Sequence, residues 1–496
     1  MKPRMNDNAD KELLVDVNPY RTRTLLLENG VPVEFNIERR EQDRLVGNIY
    51  KGRVQNVLPG MFAAFIDINE QKNAFLYAGD IIPPSVLPEG EQIDEKPNPA
   101  MIFDIIKKGQ DIMVQIEKEP VGTKGARAST HISLPGRTLV FMPTVDIVGI
   151  SKRITGEAER KRLKDIINEV RPEGTGVIVR TAALELEPEE IKQDLLNLVE
   201  EWHRIQKRYD RCTAPSLIHK EDSLVFRTVR DVFKKDVRRL VVNDKANYDL
   251  IRSLVPEDFA EKVELYDKPY DMFESFGAEQ AIDAALARKV WLKSGAYIVI
   301  DQTEALTSID VNTGKYVGNV SLERTIVETN KEAAVEIARQ LRLRDIGGII
   351  IIDFIDMEDK HDREEVLDTL SEALRCDRTR SVVLGMTQLG LVEVTRKKLR
   401  GTLSASLQTE CPYCGGSGRV LSAETVALKI RKDLYIRIAG DTGSAEFAVT
   451  AHPDVIRLLE EHSEEEYAIT PHLARKTITW RADPNMHIED YHIKNI

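Results

Sequence analysis

The sequence predicts a multidomain chain of mixed α/β (α+β) class, and three observations carry that expectation. Its 496 residues far exceed one hydrophobic core, given ~100–200 residues per domain. Residues 44–78 read as several short alternating strands in succession, the pattern of a small antiparallel barrel. Residues 292–357 read as two strands, a long amphipathic helix and a third strand, a layered arrangement.

Composition narrows the class further. With 42% hydrophobic and 31% charged residues, the chain folds and carries a highly charged surface, which excludes global disorder. The net charge of −12 is a poor sign for a nucleic-acid binder, so any RNA or DNA site requires a local basic patch or metal ions. Four cysteines, Cys212, Cys376, Cys411 and Cys414, are too few for a disulfide framework and fit a reducing cytoplasm. Residues 1–14 lack the apolar core of a signal peptide, and no run reaches the ~20 apolar residues of a membrane span. Secretion and membrane insertion are therefore disfavoured.

In chain order, GNIYKGRV, MFAAFIDI and KNAFLYAGDII supply the first barrel strands, separated by Pro-Gly and Asn-Glu turns. Phe65 and Phe75 lie ten residues apart on successive strands, with Tyr50, Lys51 and Arg53 nearby. That mix suits an OB-type surface that stacks bases and holds phosphates, although the residues alone favour placing both rings in the barrel core. Pro83 to Pro99 reads as a surface insertion, after which DIMVQIEKE closes the barrel.

Residues 151–180 form a local basic patch, with Lys152, Arg153, Arg160, Lys161, Arg162, Lys164, Arg171 and Arg180 against five acids. Arg180 and Thr181 end the short strand GVIV, where a guanidinium and a hydroxyl can meet a terminal phosphate; a solvated strand end is the bland alternative. Residues 186–210 read as an acidic helix, and 222–291 as helices with the strands LVVND and VELYD. Asp244 and Asp267 there are expected to be turn residues or helix caps.

The chemistry is expected at 292–357. Period-two alternation puts Asp310 and Asn312 on one face of a strand that Gly314 ends. A helix follows with Leu322, Ile326, Ala333, Ile337 and Leu341 on one side. Ile349 to Ile352 then predict a strand buried on both faces that delivers Asp353 from its carboxyl end, toward Asp310. Two carboxylates and an amide suit Mg²⁺ and phosphodiester chemistry, with ordinary turn acids as the alternative. Asp356 is expected on the opposite face, in a structural role, if the strand stays regular. The basic stretch 376–400, of net charge +4, fits an anionic polymer.

Cys411-Pro-Tyr-Cys414-Gly-Gly-Ser-Gly is a C-x₂-C knuckle, half of a tetrahedral zinc site. The simplest completion borrows the same pair from a second protomer and predicts a zinc-linked dimer. A redox dithiol, or a one-chain site completed by Cys376 and His361, are the alternatives.

The blocks GNIYKGRV, AAFIDI, GTKGAR, VIVRTAA, IDVNTG, ARQLRLRDIGGIIIIDFIDM, LGLVEVTRKK and CPYCGGSG resemble, in that order and over essentially the whole chain, the ribonuclease E/G family. No long Pro- and Arg-rich tail follows the nuclease body, so the similarity is to the family's shorter members. The resemblance implies a Mg²⁺-dependent endoribonuclease that cuts single-stranded RNA, leaves 5′-phosphate and 3′-hydroxyl ends, and serves ribosomal RNA processing and messenger RNA decay. It implies a degenerate RNase H-like fold at 1–43 and 222–285, holding an S1-type OB barrel at 44–125 and a 5′-sensor at 126–221. A DNase I-like catalytic domain at 286–406, a zinc link at 407–420 and a small C-terminal domain at 421–496 follow.

By the same resemblance, Asp310 and Asp353 are magnesium-binding carboxylates and Asn312 the catalytic asparagine. Cys411 and Cys414 hold Zn²⁺ shared between two protomers of a homodimer, with tetramers left open. Arg180, Thr181 and Arg380, with the backbone of Gly136 and Val140, match the 5′-monophosphate pocket. Phe65, Phe75 and Lys124 match RNA contacts of the barrel. Lys152 departs from the arginine of the ribonuclease E pattern, a point charge in place of a planar fork, and is not carried over. The alternative from another class is a non-catalytic, RNA-binding ribosome-assembly factor.

Overall fold

The chain is described from a computed structural model over residues 10–40, 44–81, 105–120, 124–184, 186–314, 322–398, 400–440, 446–461 and 476–496. The insertion expected at Pro83 to Pro99 lies outside the described residues. The chain divides into two units, 1–406 and 407–496. No helix among the described residues is long and apolar enough to cross a membrane.

The first unit begins with a five-stranded sheet that joins distant parts of the chain. Its order is Val263–Leu265, Val237–Val242, Lys11–Val17, Arg21–Glu28, Val31–Arg39, and Leu13 to Val15 pair in parallel with Leu240 to Val242. Leu13, Val15, Leu26, Leu240 and Val242 form its core with Val225, Val229 and Phe233 from the segment after residue 222. Everything between residues 40 and 222 is thus inserted between strands of one sheet. Asp244 caps the helix Lys245–Leu254, accepting from the Asn247 N–H.

The barrel closes through five strands: Ile49–Leu58, Ala63–Asp67, Ala74–Tyr77, Arg127–Ser129 and Asp111–Lys118, the last pairing back onto the first. Ala64, Ile66, Ala74 and Leu76 point inward and are fully buried, whereas Phe65 and Phe75 sit half-buried on the outer surface. The barrel-core placement of these two rings is therefore wrong. With Ala and Ile in one phase and Phe in the other, small residues fill the narrow interior and the large rings go outside. Gly125 must be glycine: a Cβ there would stand 2.0 Å from the Asn73 carbonyl oxygen.

A four-stranded sheet, in the order Val148–Ile150, Gly176–Val179, Leu139–Met142, Leu134–Pro135, follows with helices Glu157–Val170 and Pro188–Arg211. The second helix starts at proline, with Glu189 and Glu190 in its first turn and Arg208 and Arg211 in its last, matching the helix dipole.

The final sheet of the unit runs Lys289–Trp291, Tyr297–Gln302, Leu306–Asn312, Gly348–Asp353, Leu391–Arg396, Ser381–Met386. Only Leu306–Asn312 and Gly348–Asp353 are parallel neighbours, and the helix Leu322–Leu343 is their crossover. That helix and Lys360–Leu374 pack on the same face, sharing one core with Ile298, Ile300, Ile309, Val311, Ile350 and Ile352. Burial of the isoleucine strand on both faces does not hold: Ile350 and Ile352 are 0% exposed, but Ile349 is 53% exposed and Ile351 half-buried. Both helices fall on one side, and the opposite face carries the acids.

Buried ion pairs from Arg342 tie this layer to the first sheet, reaching Glu28 at 2.9 Å and Glu34 at 3.1 Å, while Arg396 braces the layer internally through Asp377 at 2.7 Å and Asp345 at 2.8 Å. The second unit has its own sheet, Thr477–Ala482, Glu446–Ala451 and Tyr491–Asn495, packed by helices Ala423–Gly440 and Pro453–Glu461.

Candidate active site

The strand Leu306–Asn312 alternates as its sequence requires: Thr307, Ile309 and Val311 are buried, Ser308 and Asp310 are exposed, and Asn312 is half-buried. Asp310 and Asp353 are direct register partners across the parallel pair, so their side chains leave the same face one strand spacing apart, ~4.8 Å. Asn312 Nδ2 donates to Asp310 Oδ2 at 2.8 Å, which fixes the amide beside the carboxylate. Desolvation, then the like charges of Asp310 and Asp356, push the Asp353 carboxyl above its ordinary value.

The strand ends at Asp353, so strict alternation does not extend to Asp356. Beyond it, buried Asn330 of the crossover helix clamps the chain, donating to the Ile355 carbonyl at 2.8 Å and accepting from its N–H at 3.1 Å. This turn keeps the charge of Asp356 close enough to act on Asp353.

Among the described residues no three His, Cys, Asp or Glu side chains gather to hold a metal ion, so Asp310 and Asp353 stand as a pair. Their donor set is hard oxygen, and their mutual repulsion is what a divalent cation relieves. Mg²⁺, which takes one or two carboxylates and completes its shell with water and phosphate, fits such a pair.

A second cluster lines a cavity of about 680 Å³ that includes Val140, Arg153, Arg180, Thr181, Lys234 and Arg378. Arg180 uses one nitrogen, Nη1, for two bonds: 2.9 Å to the Gly136 carbonyl and 2.6 Å to Asp231 Oδ1. Burial pushes Asp231 up, but Arg230 and Arg180 outweigh it and hold the carboxyl below its ordinary value. Burial together with the neighbouring cations Arg378 and Arg180 pulls Lys234 down. Such crowding of positive charge suits an anion. Gly136 sits against Asp194, whose Oδ2 would lie 2.8 Å from a Cβ. Arg380 is exposed and does not line this cavity, whereas Arg378 does.

Three other cations of the predicted basic patch are occupied locally. Arg160 caps the carbonyls of Ser151 and Ile154, Arg162 pairs with Glu159, and Arg171 with Asp146. Asp231 and Lys234 were missed in sequence because they come from a separate segment and carry no motif, while Arg153 and Arg378 were read only as members of basic stretches and not as lining one cavity.

On the barrel, Phe65 and Phe75 face each other across paired strands with ring centroids 6.0 Å apart, edge to face, and Lys124 is exposed. Tyr50, Lys51 and Arg53 do not extend this surface. Tyr50 is buried, Lys51 Nζ is capped by the carbonyls of Tyr209 and Cys212, and Arg53 binds Asp111.

In the second unit, Cys414 Sγ accepts from the Gly418 N–H at 3.2 Å, and that bond holds its thiol below the ordinary value. Tyr413 anchors the knuckle, its ring 4.3 Å from that of His487 and its carbonyl 2.6 Å from His487 Nε2. Cys411 and Cys414 are both free thiols, and two sulfurs are half of what a tetrahedral zinc site takes.

A family model described as the Ribonuclease E/G family matches residues 133–399. The chain is 43% identical over 464 residues to Ribonuclease G of Escherichia coli (strain K12), covering 92% of this chain and 94% of that protein. It is 44% identical over 464 residues to Ribonuclease G of Haemophilus influenzae, covering 93% and 94%. Ribonuclease E of Escherichia coli (strain K12) is 35% identical over 458 residues, covering 91% of this chain and 43% of that protein.

Proposed function

The chain belongs to the ribonuclease E/G family and is an endoribonuclease of that type; on that premise we propose that it hydrolyses single-stranded RNA at Asp310, Asn312 and Asp353. The observation that carries this reading is the register pairing of Asp310 with Asp353 on the uncovered face of the sheet, with Asn312 bonded to Asp310.

Asp310 and Asp353 would hold Mg²⁺, which when bound supplies positive charge at the reacting phosphate and makes water a better nucleophile. Asn312 spends its Nδ2 on Asp310, which leaves its Oδ1 to orient the attacking water or its remaining amide proton to hold the phosphate. Burial, and then the like charges of Asp310 and Asp356, raise the Asp353 carboxyl, and a cation bound there would relieve that repulsion. Cleavage leaves a 5′-phosphate and a 3′-hydroxyl. Its roles are ribosomal RNA processing and messenger RNA decay in the cytoplasm.

Arg180 and Thr181, with the backbone of Gly136 and Val140, form the pocket whose 5′-monophosphate stimulates cleavage. Arg380 stays assigned to this pocket, and Arg378, which lines the cavity, adds a further cation. Phe65 and Phe75 stack bases on the outer barrel surface, beside Lys124. Cys411 and Cys414 share Zn²⁺ with the same pair of a second copy, which makes the homodimer. The domain division of the family, from the RNase H-like part at 1–43 and 222–285 to the small domain at 421–496, describes the chain.

Asp310→Asn and Asp353→Asn each abolish cleavage of an unstructured 5′-monophosphorylated RNA, followed by end-mapping of products with Mg²⁺ and with EDTA. Wild-type cleavage by either variant sinks the proposal. RNA binding without any cleavage by the native protein, unaffected by EDTA, restores the assembly-factor alternative.

A further inference from the structure

The uncovered face of the catalytic sheet carries more than the acids. Antiparallel pairing matches Tyr297 with Asn312 and Val299 with Asp310, and on the other side Trp291 with Tyr297 and Lys289 with Val299. Paired residues project from the same face. One row therefore reads Lys289, Val299, Asp310, Asp353, and the row beside it Trp291, Tyr297, Asn312. Val290, the residue between, packs into the core on the opposite face.

Trp291 is 62% exposed, although it belongs to a paired strand. Its ring meets that of Tyr297 edge-on at 5.2 Å between centroids. Lys289 Nζ lies 4.0 Å from the Trp291 centroid and 3.4 Å from the Tyr297 centroid. Among the described residues Lys289 has no carboxylate partner. On the far side, Gly314 closes against this cluster at φ +60°, where a Cβ would stand 2.5 Å from the Gly295 carbonyl oxygen and 3.4 Å from the Tyr297 ring. The end of the aspartate strand and the aromatic pair thus pack as one surface.

We propose that Trp291, backed by Tyr297, is a stacking platform for a nucleobase flanking the scissile phosphate, and that Lys289 holds the adjoining backbone phosphate. The proposal rests on the reading of Asp310, Asn312 and Asp353 as the cleavage site. Three features point to this occupant. An exposed indole offers a π-face that any base can use, a fixed ammonium beside it suits phosphate, and both share a face with the candidate catalytic groups. Two strand spacings, ~10 Å, separate Trp291 from Asn312, which is within reach of a nucleotide next to the reacting one. A structural role alone leaves the large exposed ring without a purpose, because Val290 supplies the packing of this strand.

The test uses the full chain and 5′-monophosphorylated single-stranded RNAs with one cleavage site and randomised flanking nucleotides. Trp291→Ala raises KM by roughly 5- to 150-fold, the span of one base–aromatic stack, and flattens the base preference at one flanking position. Trp291→Phe, which keeps a ring, recovers most of both. Lys289→Ala raises KM and reduces its salt dependence without altering base preference. An unchanged KM and flanking profile in Trp291→Ala overturns the proposal. So does a raised KM with an unaltered profile that Trp291→Phe does not restore, since this marks a purely structural role. Asp310→Asn, run in parallel, separates the two claims: if it still cleaves, the site reading itself fails.

Discussion

Replacing Arg180 tests the phosphate pocket most directly. Its Nη1 is committed to the Gly136 carbonyl and to Asp231, so the Nε and Nη2 edge of the guanidinium is left for a ligand in the cavity. That edge can make a bidentate, charge-assisted contact with a phosphate. Hydrogen bonds to charged groups contribute ~1.5–3 kcal/mol, and Arg180 is partly open to solvent, so the whole contact is taken at that range rather than twice it. At 1.4 kcal/mol per tenfold, Arg180→Ala lowers the preference for 5′-monophosphate over 5′-hydroxyl RNA by roughly 10- to 150-fold. Cleavage of the 5′-hydroxyl substrate is unchanged, because Asp310, Asn312 and Asp353 do not line this cavity. Arg180→Lys keeps the charge without the planar fork and recovers only part of the preference. The assay is the ratio of kcat/KM for two RNAs that differ only in the 5′ group. A ratio equal to wild type in Arg180→Ala refutes the assignment.

Further outcomes follow from other contacts. Arg342 is 5% and Glu28 7% exposed at the side chain, and breaking a buried pair by removing one partner costs ~3–5 kcal/mol, so Arg342→Met markedly lowers the urea midpoint of the first unit. Burial raises Glu34, but Arg378 and Arg342 outweigh it and hold its folded pKa below the ordinary 4.5. Its contribution is complete above that value and is lost as pH falls through the lower folded value, a loss that Arg342→Met diminishes in acid titrations of stability. Cys411→Ser with Cys414→Ser eliminates bound zinc and weakens self-association in sedimentation; a zinc-free native protein that still dimerises contradicts the link.

The candidate site was legible where it depends on local period. Asp310 and Asn312 share a face because every second residue of a strand does, and Thr307, Ile309 and Val311 mark the buried phase between them. Asp353 could be aimed at Asp310 because it stands at the carboxyl end of an apolar strand, where ligands bind in layered α/β sheets, and the two strands do pair in parallel. The phase of the barrel strands was not legible: Ala64, Phe65, Ile66 and Ala74, Phe75, Leu76 are apolar throughout, and only the narrow interior selects the smaller set. Four consecutive isoleucines likewise fail to say how many faces are covered, because that depends on where two later helices land.

Sequence by itself determined the strand and helix pattern, the acids with their amide, the cysteine knuckle and the family resemblance, all of which are carried by residues close together in the chain. Tertiary structure alone decided which long-range partners meet. Arg180 finds Asp231 at a separation of 51 residues, Arg342 finds Glu28 at 314, and Trp291 comes to share a face with Asn312 through two strand pairings. Local periodicity follows from backbone geometry and is written into each segment. Which charge neutralises which, and which ring stays in solvent, depends on how separately folded segments stack, and no short window of sequence contains that choice.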